Sequence, residues 1–583
     1  MNVFQRPRAL RFWLIAICIA VAIPTSLTKM STAYGDSILR TVALSGQLAP
    51  GGPSGATFDT SGFVFNFPKL NNANQTSFIA ALQIGPGEVT ESNNFGIWSE
   101  GNGSLALVMQ EGSQAPGAPA GAKFRDPFPP VFTDAGQTSF ISRLQIGEGG
   151  VTDSNDKGFW SQRNGSLDLV VRTGELAPDV PLGAKFDDFG SSSINSANQL
   201  AFSAELQTGF GGVTDANNQG AWSEGNGTLE LIARKGDQAP NTTAGAVFDS
   251  IWIVGISDTG NAAFLAELKE GVGGVTSSNQ EGFWAQRNGS LQLIARTGTQ
   301  APDTPSGANF RALRLSNLNR AGRIAFSANL QTRAGGVTFD NDQGIWSEGS
   351  GTLSLVARRG DQAPGTPVDA TFSLIVSFNP EGPRLNDAGQ TAFTALLNSG
   401  SGGVDSDSNS GIWSEGGGAL DLVARKGSQA PGTPVGAVFG SSLLPPSLIP
   451  FSALSLNNAG QSAFLGSLKI GVGGVTEDND QGIWAQNRDG VLQLIVREGD
   501  EIDVDDGPGV DLRTIERVFP GSGQGGFNDL GQLAFSAMFI DGTAGTFVSN
   551  LVAVPEPNSL ILAAAAGLLG ASASGYTCVF RKN

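Results

Sequence analysis

Leu385-Asn386-Asp387-Ala388-Gly389-Gln390-Thr391-Ala392-Phe393 contains the pattern Asn-x-x-Gly-x-x-Ala/Ser-Phe. The pattern returns with its Phe at 78, 140, 202, 264, 326, 393, 464 and 535. The early step is 62 residues (140 − 78) and the last is 71 (535 − 464). A second marker keeps the same register: Trp98, Trp160, Trp222, Trp284, Trp346, Trp413 and Trp484. Two unlike markers in one register mean a single structural unit copied in tandem.

The copy from Gly236 to Gly298 shows the parts. Gly236-Asp237-Gln238-Ala239-Pro240 is a breaker-rich loop leading to Phe248. Ile251–Val254, Ala262–Leu268, Phe283–Gln286 and Leu291–Arg296 read as four strands. Ser257-Asp258-Thr259-Gly260 and Asn288-Gly289 supply tight turns between them. Four antiparallel strands in each of eight copies predict an all-β chain folded as an eight-bladed β-propeller. Thr41–Gly46 matches Leu231–Gly236, a fourth strand with no first three ahead of it. Val518–Phe547 supplies first, second and third strands of the eighth copy. The N-terminal strand can therefore complete the last blade and remove both open edges. Leu551–Val554 competes for that place, and an open row of small β domains is the alternative architecture.

Composition narrows the chemistry. The chain has 583 residues, a net charge of -18, no His, and only two Cys, Cys18 and Cys578. Sparse Lys and Arg argue against nucleic acid or an anionic membrane surface as partner. Arg6, Arg8 and Arg11 precede an apolar run over Phe12–Ile23, and Ala33-Tyr34-Gly35 forms a small-residue cleavage site. Residues 1–35 thus read as a secretory signal, cut by signal peptidase. Both Cys and both Tyr fall in the terminal segments, so residues 36–553 lack His, Cys and Tyr. That excludes thiolate nucleophiles, disulfides and His metal sites there.

The tail carries Val554-Pro555-Glu556-Pro557, an apolar stretch over Leu560–Phe580, and the basic end Arg581-Lys582. Motif, span and basic end together resemble the PEP-CTERM sorting domain, so residues 554–583 are its counterpart. The repeats resemble the tandem NxxGxxAF proteins that carry such tails. The resemblance implies export across the inner membrane of a Gram-negative bacterium and sorting by an exosortase. It implies a surface or matrix location with exopolysaccharide nearby, membrane contact only through the tail before processing, and no established activity. Basic residues at the end fit retention on the cytoplasmic side.

Repeated polar positions have structural readings. The register Trp and Phe residues suit packing between sheets. The Asn of Asn-x-x-Gly suits a turn. Glu100, Gln162, Glu224, Gln286, Glu348, Glu415 and Gln486 follow the Trp residues and are expected on a solvated rim. Ser-Glu-Gly nearly alternates with Ala/Ser-Gln-Arg there, a hint of paired duplication. Asp153, Asn155 and Asp156, Asp478, Asn479 and Asp480, and Asp405–Gly411 carry oxygen donors of the kind calcium loops use. The denser run Asp500–Gly507 makes Asp503, Asp505 and Asp506 the foremost metal candidates, with calcium as the cofactor.

Length departures point to one arc. The segment from the loop Phe to the motif Phe spans 16 in copy four (264 − 248) but 20, 21 and 25 in copies one, six and seven (78 − 58, 393 − 372, 464 − 439). Copy eight, aligned on Phe519, keeps 16 (535 − 519) but has a longer preceding loop. These inserts bring Phe63, Phe65, Phe67, Phe378 and Leu443–Pro446 towards the acidic run. The expected function is binding or display. The alternatives are a glycan-cleaving enzyme using Asp and Glu on one propeller face, or a purely structural spacer.

Overall fold

Short apolar-alternating segments bounded by Gly turns favour half-buried antiparallel strands. A computed structural model of the chain describes residues 39–61, 64–163, 165–374, 382–440, 450–521 and 525–549. Strands dominate, with a 3-10 turn at Pro86–Glu88. In blade four, Phe248–Ile256, Ala262–Leu268, Glu281–Arg287 and Ser290–Arg296 pair in that order. The other blades repeat this order, with the first strand split in blades two and six. First strands of neighbouring blades pack on one another, so they are innermost and border the axis.

The eighth sheet joins both ends of the ring. Its outermost strand is Leu39–Leu44, followed inward by Ala544–Ser549, Ala534–Phe539 and Leu512–Pro520. Leu39 lies opposite Ser549, and Leu44 opposite Gly545. The expected N-terminal closure is present. Leu551–Val554 lies outside the described residues.

Blades one to seven are each built on an aromatic triad. Trp284 is fully buried, with Phe264 stacked on it at 6.1 Å and Phe248 edge-on at 5.1 Å. Its Nε1 donates to the Pro240 carbonyl at 3.1 Å, fastening the breaker loop over the blade. All seven register Trp residues make this bond, at 2.9–3.1 Å. A buried indole needs such a partner for its N–H. The Gly two positions before each Trp is also required. A Cβ on Gly282 would sit 2.6 Å from the Trp284 ring.

Blade eight corrects the alignment of copy eight. Ile515, not Phe519, occupies the place of Phe248. Gly499 donates to the Ile515 carbonyl as Gly236 does to that of Phe248. Phe519 pairs with Ser536, the register that Trp252 holds against Leu265. Copy eight therefore has a long first segment as well (535 − 515, or 20), like copies one, six and seven.

A candidate functional site at the propeller axis

The repeated Asn does more than shape its own turn. Asn386 Oδ1 accepts from the Gln390 N–H at 2.8 Å, while Nδ2 donates to the Asn457 carbonyl of the next blade at 2.9 Å. The same staple runs from Asn71 to Thr133, Asn195 to Ser257, Asn319 to Asn386, Asn457 to Asn528 and Asn528 to Asn71. The last of these welds blade eight to blade one. Blades two and four have Thr133 and Ser257 in place of Asn.

The next residue forms a second ring around one mouth of the axis. Backbone N–H groups of Asn72, Ser196, Arg320, Asp387, Asn458 and Asp529 donate to side chains of Asp134, Asp258, Asp387, Asn458, Asp529 and Asn72. Arg320 Nη1 reaches from blade five to Asp134 of blade two at 2.6 Å, and its Nε lies 3.9 Å from Asp387. Burial pushes the Asp134 carboxyl up, but the Asn72 N–H and the Arg320 guanidinium outweigh it and hold it below the usual range. This ion pair bars the mouth.

Behind the bar, a cavity of about 320 Å³ is lined by Lys69, Pro129, Pro130, Ile194, Ile256 and Leu318 among others. Polar groups, among them Asp134, Asn195, Asn319 and Arg320, share that wall with the apolar ones. Lys69 is half-buried and lines this cavity. Burial, and then the nearby Arg384 charge, bring its ammonium down to about 8. Arg384 is buried, which brings it down to about 10, and its Nε donates to the Leu454 carbonyl at 2.7 Å.

The acidic run does other work. Asp506 accepts the Thr41 N–H at 3.0 Å, and Thr41 Oγ1 donates to the Val504 carbonyl at 3.0 Å. Asp503 accepts from the N–H groups of Asp505 and Asp511, and Asp505 from that of Gly507. The three predicted metal ligands shape a hairpin and clasp the closing strand. Among the described residues no three acidic side chains gather as a cation site. The other donor-rich loops are turns as well: Asn155 accepts from Thr152, Asn479 from Thr476, and Asp405 from Asp407 and Ser408.

The acid and amide series is not a solvated rim. Each member accepts the first N–H of its blade's second strand at 2.8–3.0 Å. The alternation has a physical cause. Arg163 and Arg287 of blades two and four reach Glu224 and Glu348 of blades three and five, and Arg40 of the closing strand reaches Glu100 of blade one.

The inserted aromatics divide. Phe65 is buried and Phe67 exposed, while Phe63, Phe378 and Leu443–Pro446 lie outside the described residues. So do Pro555, Glu556, Pro557, Arg581, Lys582 and both apolar terminal runs. Among the described residues no helix is long and apolar enough to cross a membrane. The described part of the arc does not join aromatics to the acidic run. In blade one the insert adjoins the innermost strand, whereas Asp506 sits against the outermost strand of blade eight.

One feature was not foreseen. Asp480 and Glu498 of blade seven are both buried and share a hydrogen bond. Blade five has the ion pair Asp342–Arg359 at these positions, 3.2 Å apart. Burial, then the Asp480 charge, raise Glu498 to about 8. The signal in the sequence was an acid at both positions of one copy.

Every repeat-specific landmark described above lies in a region of the chain shared with one family. The chain belongs to DUF7453, a family of unknown function. The DUF7453 pattern matches residues 28–160, 146–348 and 332–561. No curated protein matches the sequence. Among solved structures, the β-propeller domain of the Trilobed protease from Pyrococcus furiosus aligns at 9% identity and a TM-score of 0.35, covering 75% of this chain and 99% of that one. The Dos1 propeller aligns at 10% identity and 0.37, covering 88% and 96%. The DUF7453 chain is similar to these in fold class alone.

Proposed function

We propose that this chain is an exported, exosortase-sorted binding or display protein of a Gram-negative cell surface or extracellular matrix. Its termini support export: a charged start, a short apolar run, and a Pro-Glu-Pro tail with a basic end. The observation that carries the binding role is the contrast between rim and axis. The repeated polar side chains are consumed as joints, whereas the axial cavity is lined by unlike side chains from blades one to five. Loops and inner surfaces that vary on a rigid repeated scaffold are where binding is placed. Signal peptidase and exosortase are the processing partners, and exopolysaccharide is the neighbour the tail resemblance implies.

The glycan-cleaving alternative requires a pair of carboxyls about 5–10 Å apart across a substrate. Glu100, Glu224, Glu348 and Glu415 are instead committed to strand N–H groups in separate blades. The test is cell fractionation with mass spectrometry. The surface or matrix form should yield no peptide from 560–583, and the full-length repeat domain should be retained there. A tail intact in most molecules, or a repeat domain confined to the cytoplasm, overturns the reading.

A further inference from the structure

One register of the innermost strands departs from the apolar pattern. In blade four Trp252 lies opposite Leu265 and is 40% exposed. In blade two the equivalent is Phe128, whose N–H bonds the Ile141 carbonyl; it is also 40% exposed. In blade one the chain bulges after Asn66, opposite Ile79, and turns out Phe67 at φ 55 and 45% exposure. A non-glycine residue held in the left-handed region is strained, and such strain persists where the surroundings enforce it. Blade three has Gly190 and Ser191 at this height, and a Cβ on Gly190 would fall 2.6 Å from Ser203 Oγ. Blade five has the exposed Arg314.

Passing from blade one to blade five, the innermost strands thus present ring, ring, notch, ring and guanidinium at one height. These strands border the axis, and each of the three rings is partly open to solvent. Large apolar side chains are normally scattered when exposed, and a row at one register is not scatter. Gly190 and Ser191 of blade three part the rings of blades one and two from that of blade four. Flat rings spaced by hydroxyls and backbone suit a ligand that alternates C–H faces with hydroxyl edges. A guanidinium fork beside them suits a carboxylate.

We propose that the axial channel binds a uronate-bearing saccharide chain, its sugar rings stacking on Phe67, Phe128 and Trp252 and a carboxylate meeting Arg314. This rests on the binding role proposed above and supplies its ligand class. The protein carries its own reporter. The seven register Trp residues are at most 1% exposed, so Trp252 is the solvent-facing indole among the described residues.

The experiment titrates the mature domain with a galacturonate hexamer and, separately, with a neutral glucose hexamer, by tryptophan emission and calorimetry. The uronate hexamer should change the emission and release heat. Trp252→Ala should weaken it at least tenfold, a step of about 1.4 kcal/mol. Trp252→Phe should keep the heat and lose the emission change. Arg314→Gln should weaken the uronate hexamer and leave the neutral one unaltered. Trp252, Phe128 and Arg314 are exposed, so unchanged melting temperatures will separate lost contacts from lost fold. Undiminished binding in Trp252→Ala and in Phe128→Ala overturns the proposal. So does binding of a proline-rich peptide with no response to either sugar. If no sugar binds while the protein is still retained at the surface, the saccharide site falls and the display role stands. If retention fails too, both fall.

Discussion

Blades four and eight solve the same problem in opposite ways. Blade four locks with groups close in sequence: Trp284 to Pro240, and Gln286 to the first N–H of the second strand. Blade eight has Phe547 where the Trp would be and no Pro loop to hold. Its fourth strand comes from the far end of the chain, and its clasp joins Asp506 to Thr41 across 465 residues. Local locks cost little chain entropy. Joining distant segments costs more, though the cost grows only logarithmically with loop length. The closing blade therefore concentrates the long-range contacts, and perturbing it should show up as a loss of the whole ring.

Deleting residues 41–45 tests this most severely. It removes Ala43 and Leu44, both buried, and bares the edge of Ala544–Ser549. We expect the melting temperature to fall by about 5–10 °C in scanning calorimetry, with aggregation from the open edge. A variant that melts with the parent would show that the seven complete blades hold without closure. Within the repeats, Trp284→Ala should cost about 3–5 kcal/mol by chemical denaturation, the usual range for emptying a buried aromatic site. The loss should be confined to blade four and its neighbours. If it matches the deletion, the blades are not the separable units the repeat implies.

The periodic features were legible because each obeys one local rule. Gly-x-Trp, Gln-Ala-Pro and Asn-x-x-Gly recur because the indole needs a bare neighbour, a carbonyl and a turn. Counting strands predicted the closure as well. What the sequence concealed was cross-blade geometry. Glu224 reads as a surface acid beside a hairpin, but Arg163 reaches it from the preceding blade and the Leu200 N–H from the adjacent strand. Asn386 reads as a turn former, and its second bond leaves the blade altogether. The acidic run has a second role that the sequence concealed for a related reason. Its density suggested a cation, whereas the backbone N–H groups of a hairpin and of a strand from the other terminus satisfy it. The alignment of Phe519 failed because Ile515 replaces the expected aromatic, and only strand pairing shows which residue holds the place.

The seam between blades seven and eight adds a pH dependence that blade five lacks. Glu498 titrates near 8 in the folded protein against an ordinary value of 4.5, because of burial first and then Asp480. An acid with a raised folded pKa favours the folded state fully below about 4.5. That contribution is lost as pH rises from there through about 8. The groups facing it are Asp480, Glu477 behind that residue, and Arg517 of blade eight. The melting temperature should therefore fall between pH 5 and about 9, beyond the change in net charge. Glu498→Gln should flatten that slope. Equal slopes in parent and Glu498→Gln would assign the pH dependence elsewhere.

The smallest effect is expected at the clasp. Asp506 is exposed and accepts one N–H, so water competes for both partners and the bond adds little. Asp506→Asn keeps an acceptor oxygen and removes one charge from a run that includes Asp503, Asp505 and Asp511. The relief of repulsion offsets part of the weakened bond. A change of about 2 °C or less in melting temperature follows, against the far larger loss on deleting the strand that Asp506 holds. The same variant decides the calcium question. Carboxylates committed to N–H groups should give no stabilisation on adding millimolar calcium and none lost to a chelator. A calcium-dependent rise in melting temperature that Asp506→Asn abolishes would show that the clasp opens to take a cation. Closure of the ring would then be a ligand-linked step in blade eight and a fixed one in blade four.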